Sequence, residues 1–449
     1  MRKILAALAF VWIAAPAPVA AQSPAEAQSL IELSQQVDDD RGFITRLLEE
    51  NLSGAGRVVQ ISNFQGALSS RATFSELTIA DDEGVWLTLR DGAIQWNRSA
   101  LLRRRIEIAE LSAAEILLPR LPAGEETGAV RTEVPEFRLP ELPVGINIDR
   151  IQAQRVEIGE PVIGLPAVVS LSGNMNLSGG EGTAVLSIDR QDGPRGQFAL
   201  DAGYSNSTQV LKLDLTLDEA ADGLLANLID LHGKPALHAD ITGEGPISDF
   251  TADISLATDG QPRVTGRASI NERPDDQGNP GTGFRLELGG DVASLMNPSN
   301  GAFFGTSTQL LAEGWRGQDG RLDLPVLMID TEAMNLSGAL SLTDQGAPQT
   351  AVLLMTLGAD AGATDLPVRM PFAEGTLVNN GRLSLEYDAA QGQGWSLTGR
   401  IGQFQRPDLT IGALQLDGAG QVLLDGNDLS EITGRISFGT QDMVFADPA

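Results

Sequence analysis

The chain has 449 residues, enough for two or three ordinary domains or one extended one. Its apolar content of 42% fits a folded protein, while 50 glycines and 5% aromatics suit short strands and turns better than a helical bundle. With 31 basic and 60 acidic residues, the net charge of −29 argues against nucleic acid as a partner and gives no general reason to lie on anionic headgroups. The absence of cysteine excludes disulfides, zinc–thiolate sites and cysteine nucleophiles.

The N-terminus reads as a targeting segment. Arg2 and Lys3 precede an apolar run from Ile4 to Ala15, too short for a comfortable membrane span, and Val19 and Ala21 suit cleavage after Ala21. Residues 1–21 are therefore an export signal or, uncleaved, an inner-membrane anchor. Residues 25–53 come next as an amphipathic helical segment, with Ile31, Leu33, Val37, Phe43, Ile44, Leu47, Leu48 and Leu52 at helical intervals. Asp40 is a plausible N-cap inside it and Gly54 a plausible stop.

From residue 57 the period changes to two, the mark of half-buried strands. Residues 57–118 form a first β segment. Val59 and Ile61 alternate with polar neighbours, and a slip between Phe74 and Leu77 suggests a bulge. Val85, Leu87 and Leu89 face one way, with Trp86, Thr88 and Arg90 on the other side; Ile106 and Ile108 repeat the pattern. The LRRR run at 102–105 reads as a solvated turn, with a local contact with lipid headgroups as the lesser alternative. Residues 119–145, rich in proline and charge, read as a linker or long loop and the best internal boundary.

Residues 146–449 continue the strands. Leu186 and Ile188, then Leu211, Leu213, Leu215 and Leu217 against Lys212, Asp214 and Thr216, give the clearest alternation. A helical turn interrupts, with Leu224, Leu225, Leu228 and Ile229 on one face. Ile254 and Leu256, then Leu286 and Leu288, resume the pattern, which runs to Ile432, Ile436 and Phe438. Connectors rich in Gly, Asn and Asp predict hairpins, so the chain reads as a long antiparallel meander. Glycine recurs between apolar positions in LSGALSL (336–342), LTGRIGQF (397–404) and ITGRISF (432–438), where it would let the sheet bend or let neighbouring strands approach closely.

No catalytic constellation emerges. His232 and His238 flank a helix-to-strand turn and read as structural or solvent-exposed. NERPDDQGNPG (271–281) lacks the ligand spacing of a calcium loop, GWRGQDG near Trp315 is a turn, and no phosphate-cradling or nucleophile motif occurs. The chain is expected not to be an enzyme and to need no cofactor or metal. An apolar sheet face must still be covered, either by a second sheet or by the sheet curling into a groove, and the low aromatic content favours the groove. Its lining is then Val85, Leu87, Leu89, Ile106, Ile108, Leu186, Ile188, Leu211, Leu213, Leu215, Leu217, Ile254, Leu256, Leu286 and Leu288, a surface suited to acyl chains.

The stretch from Arg41 to Arg120 also carries a resemblance. A short helix is followed by Phe64-Gln65-Gly66-Ala67-Leu68, by TIADDEGVWL (78–87) and by WNRSALL (96–102). This order resembles the N-terminal region of the TamB family of translocation and assembly modules, related to the AsmA-like envelope proteins. GEGPISDF (243–250) extends the likeness more loosely. The resemblance implies a mainly β fold: a long antiparallel curled sheet forming an elongated U-shaped apolar groove, with an N-terminal helix and short helical interruptions. It implies an inner-membrane N-terminus, a periplasmic setting in a Gram-negative envelope, phospholipid movement between membranes, and partnership with TamA, an Omp85-type outer-membrane barrel, in assembling or secreting barrel proteins and autotransporters. The family's C-terminal docking domain has no evident equivalent before Ala449, so the chain reads as truncated. The alternatives are a secreted β-helical adhesin or structural passenger domain, and a soluble periplasmic β-sandwich binding protein.

Overall fold

The computed structural model describes residues 58–66, 71–101, 105–122, 145–275, 278–371, 373–426 and 428–445. The expected signal or anchor, the 25–53 helix, the LRRR turn from 102 to 104 and most of the proline-rich stretch lie outside them. The described chain is mainly β, with 23 strands and a few short helical turns. It divides into two compact units, the first ending at Pro246 and the second starting at Ile247.

The first unit holds β1 (Val58–Ser62), β2 (Arg71–Asp81), β3 (Gly84–Asn97), β4 (Arg105–Leu118) and β5 (Gly145–Ile158). It continues with β6 (Ala167–Ser178), β7 (Glu181–Arg190), β8 (Gly196–Ser205), β9 (Val210–Glu219) and β10 (Leu237–Pro246). Each strand pairs with the next. All these ladders are antiparallel except one. β4 and β5 run parallel, with Ile106 opposite Ile146 and Leu118 opposite Ile158. The expected meander therefore breaks here. Two parallel neighbours cannot be joined by a tight turn, and residues 119–144 supply the crossover length that such a pair needs. At the start of that crossover Arg120 forks onto Asp81, tying it to the end of β2.

The expected slip between Phe74 and Leu77 is not a register shift, because β2 and β3 keep their pairing through that stretch. Asp91 takes a φ of +47° instead, and the Phe74 ring lies over Gly92, where a Cβ would collide with it. The bulge falls later, between Ile79 and Ala80. It turns Trp86 away from the polar side that strict alternation predicts. Trp86 packs with Leu87 against the buried cluster of Leu118, Ala153, Val156, Ile158, Val162 and Val169. A bulge adds one residue to one strand, so every residue beyond it emerges on the opposite side from the one that simple alternation gives.

The second unit holds β11 (Asp249–Thr258), β12 (Gln261–Glu272), β13 (Gly281–Gly290), β14 (Thr308–Gly317), β15 (Leu322–Asp330), β16 (Met334–Leu342) and β17 (Pro348–Gly358). After the short β18 (Val368–Arg369) and β19 (Leu377–Val378) come β20 (Asn380–Asp388), β21 (Gly394–Arg406), β22 (Leu409–Asp425) and β23 (Asp428–Phe445). β11 to β17 pair in sequence, β17 skips to β20, and β20 to β23 pair in sequence, all antiparallel.

Three helical turns have clear local causes. α1 (Leu224–Leu228) is the expected helical interruption. It buries Ala226, with Leu231 just beyond it, but Ile229 is exposed. At five residues the helix is too short to turn all the expected apolar positions inward. α2 (Pro298–Phe304) has no strong apolar period in the sequence. Asn297 caps it by accepting from Ser299 N–H, Pro298 pre-sets its first turn, and Phe303 is buried. A further turn at Glu160–Ile163 buries Val162.

Candidate functional site

A sheet is stabilised by cross-strand pairs on one face, so the strand register decides which apolar residues meet. In the first unit one rung runs Leu171, Ile188, Phe198, Leu217, Ala239, and the next runs Gly173, Leu186, Leu200, Leu215, Ile241. Leu213 and Leu211 continue the same face of β9. The alternation of β9 is realised: the four leucines are half-buried, and Lys212 and Asp214 are exposed.

The second unit repeats the arrangement over more strands. One rung runs Ile254, Gly266, Leu288, Leu310, Ile329, Leu336, Met355, Leu383, Gly399, Leu416, Phe438. The neighbouring rung carries Leu286, Leu327, Leu353, Leu385 and Leu397. Leu256 sits one step along the face of Ile254, opposite Val264. The register thus brings the predicted lining residues of each unit onto shared apolar rungs. Nearer the N-terminus, Leu89 lies between Leu77 and Ile116, Leu87 faces Ile79, and Ile108 lies between Trp96 and Ile148. Ile106 packs with Ile108 against buried Ala72 and Trp96.

Every predicted lining residue except Val85 is half-buried. Val85 stands beside the β3 bulge and is 47% exposed. Half-burial is what a single apolar sheet face has when its own neighbours cover its flanks.

Glycine completes the rungs. A Cβ at Gly338 would collide with the Val352 carbonyl and the Leu353 side chain. Gly399 lies between Leu383 and Leu416, and Gly434 lies under the Trp395 ring. Each of the three glycine phrases in the sequence therefore marks a place where a large side chain lies across bare backbone, from the adjacent strand at Gly338 and Gly399 and, at Gly434, from Trp395 of β21 reaching over Gly420 of β22. Trp395 is fixed there by its Nε1–H, which donates to the Thr433 carbonyl at 2.9 Å.

Several polar groups are held by local hydrogen bonds and ion pairs. Glu219 is buried and accepts from the Leu225 N–H at the start of α1, with its pKa raised by desolvation against those backbone donors. Asp291 is lowered by hydrogen bonds from Ser294 and by Arg263 at 2.7 Å. His238 is exposed between Asp218 and Asp240, and His232 is exposed. In the 271–281 loop Asp275 accepts from the Asn279 backbone and side chain, which closes the turn. Among the described residues no three His, Cys, Asp or Glu side chains converge on a metal-sized site, and no helix is long and apolar enough to cross a membrane.

Sequence reasoning missed two buried polar atoms on this face. Among the described residues Trp86 Nε1 and Tyr387 Oη have no hydrogen-bond partner, and burial raises the Tyr387 pKa. The β3 bulge brings Trp86 inside against alternation, whereas Tyr387 follows Leu383 and Leu385 on the apolar side of β20, so alternation does carry a signal for it.

No family model, no curated protein and no solved structure matches the chain.

Proposed function

We propose that the protein is a non-enzymatic component of a Gram-negative envelope, periplasmic and inner-membrane associated, whose apolar sheet faces form a curled groove that carries phospholipid acyl chains between the two membranes. The observation that carries this reading is the run of half-buried leucine, isoleucine and glycine rungs across many strands, backed by a polar face. Burying each acyl CH₂ gains about 0.8 kcal/mol, and a lining of similar aliphatic residues keeps that gain nearly uniform, so a chain can slide without a trap. The likeness of residues 41–120 to the TamB family supports the same reading and adds a supporting role in assembly or secretion of outer-membrane proteins with a TamA-type barrel. The β-helical passenger alternative fits poorly with ladders that are antiparallel apart from β4–β5.

Site-specific photo-crosslinking in cells tests this, with the probe at Leu213 and at neighbouring Asp214 as control. Phospholipid trapped at 213 and not at 214 supports a one-sided lipid path. Crosslinks from 213 to protein alone would mean a closed core, and the transport reading would fall.

A further inference from the structure

The polar face of the second unit breaks its own charge rule at one place. Elsewhere, strand cations that sit opposite a charged residue sit opposite an acid. Arg90 faces Glu76 and Glu115, Lys212 faces Glu244, Arg267 faces Asp253 and Glu287, and Arg285 faces Glu313. Several close as ion pairs, Arg90–Glu115 at 2.7 Å and Arg285–Glu313 at 2.8 Å among them. Arg382 on β20 instead lies directly opposite Arg400 on β21. Their outer neighbours are the neutral Thr356 and Gln415. Among the described residues neither guanidinium has an ion pair or hydrogen bond.

Like charges directly opposed across a ladder are destabilising, and among the described residues no acid closes an ion pair onto either arginine. The two arginines open into a cleft of about 660 Å³ between β20 and β23. Ser384 and Thr398 face each other in the next rung of the cleft, with no hydrogen bond to either hydroxyl among the described residues, and Gln441 lines its far side. The acid in the lining, Asp417, accepts from Gln415 at 3.0 Å and makes no ion pair with Arg400. Two guanidinium forks with hydroxyl donors beside them match a tetrahedral oxyanion, which can take bidentate hydrogen bonds from both. In a chain of net charge −29, such an unneutralised pair is a local exception rather than part of a general anion-attracting surface.

We infer that Arg382 and Arg400, with Ser384 and Thr398, form a binding site for a phosphate monoester on the polar face of the second unit. The phosphate could be carried by a soluble ester or by a lipid headgroup. Leu354, opposite Ser384 and 40% exposed, and Val352, 53% exposed on the same face, would lie beside an attached acyl chain. The site is on the other side of the sheet from the apolar rungs and does not depend on the groove.

The test is calorimetric titration of the full chain with three probes: glycerol 3-phosphate, monomeric dihexanoyl phosphatidic acid, and phosphate-free dihexanoyl glycerol. Both phosphate probes should bind and dihexanoyl glycerol should not. Arg382→Ala and Arg400→Ala should each weaken binding at least about tenfold, as loss of a charge-assisted bidentate contact does, while Arg267→Ala leaves it unchanged. Thermal unfolding should show both variants folded, since each removes a like-charge contact. Tighter binding of phosphatidic acid than of glycerol 3-phosphate identifies a headgroup, and equal binding a soluble ester. The proposal is overturned if neither phosphate probe binds, if dihexanoyl glycerol binds as well as phosphatidic acid, or if the Arg382→Ala/Arg400→Ala double variant binds like the parent. A negative result at Leu213 in the crosslinking experiment leaves this titration untouched.

Discussion

β9 and β23 obey the same alternation and end in different surroundings. β9 lies between β8 and β10, and its leucines are half-buried. β23 pairs with β22 and with no other described strand, and it is exposed along its whole length, with Ile432 at 58% and Phe438 at 65%. One strand inward, Leu416 is 9% exposed although it directly opposes Phe438. Alternation assigns a residue to a face, but neighbours on both sides decide whether that face is dry. An isolated period-two segment therefore cannot distinguish an interior strand from an edge.

The largest effect expected from this contrast comes from glycine. Gly266→Val places a side chain against the Glu287 carbonyl and Leu288, inside a paired rung, so backbone must shift. It should cost about 2–4 kcal/mol in urea unfolding. Gly439→Val on β23 meets nothing closer than Gln415 Cβ at 3.7 Å and should stay within about 0.5 kcal/mol. Equal costs would mean that β23 is as enclosed as β12.

Truncation should give the next largest difference. Leu416→Ala removes a buried side chain and should cost about 2–4 kcal/mol, whereas Phe438→Ala should cost well under about 1 kcal/mol despite its greater size. A larger loss at Phe438 would show that something covers β23 in solution.

The smallest effects lie in pH dependence and compare the two units through one carboxylate each. Glu219 has its pKa raised above 4.5, so it holds its proton more tightly in the folded chain. Its contribution is greatest at acid pH and declines as pH rises through its folded value. Glu219→Gln should flatten stability in that window. Asp291 has its pKa lowered below 3.8, so its contribution is present above that value and declines as pH falls through the folded one. Asp291→Asn should lose about 1 kcal/mol at neutral pH and flatten the acid limb. Thermal unfolding of the two variants against pH checks both signs, and parallel shifts in the same direction would refute the assignment.

Much of the candidate face is legible without coordinates. Leu211 to Leu217 must share a face because consecutive strand side chains alternate, and the glycines of LSGALSL, LTGRIGQF and ITGRISF signal close approach because they leave bare backbone. Alternation misplaces Trp86 and Val85 because the bulge after Ile79 shifts the count by one. The helix at 298–304 escapes it because a capped two-turn helix carries almost no period. The Arg382–Arg400 contact is invisible because 18 positions separate them, and only the β20–β21 register sets them opposite.

What the sequence determined by itself is therefore local: the period of two, the polar or apolar side of each strand, the glycine gaps and the excess of negative charge. Tertiary structure alone decided which strands are neighbours. It made β4 and β5 parallel, aligned the leucines of separate strands into rungs, buried Leu416 while leaving Phe438 in solvent, and brought two arginines together. The physical reason is that side-chain direction is set by backbone geometry one residue at a time, whereas pairing is a choice among distant segments, settled by how completely their faces cover one another.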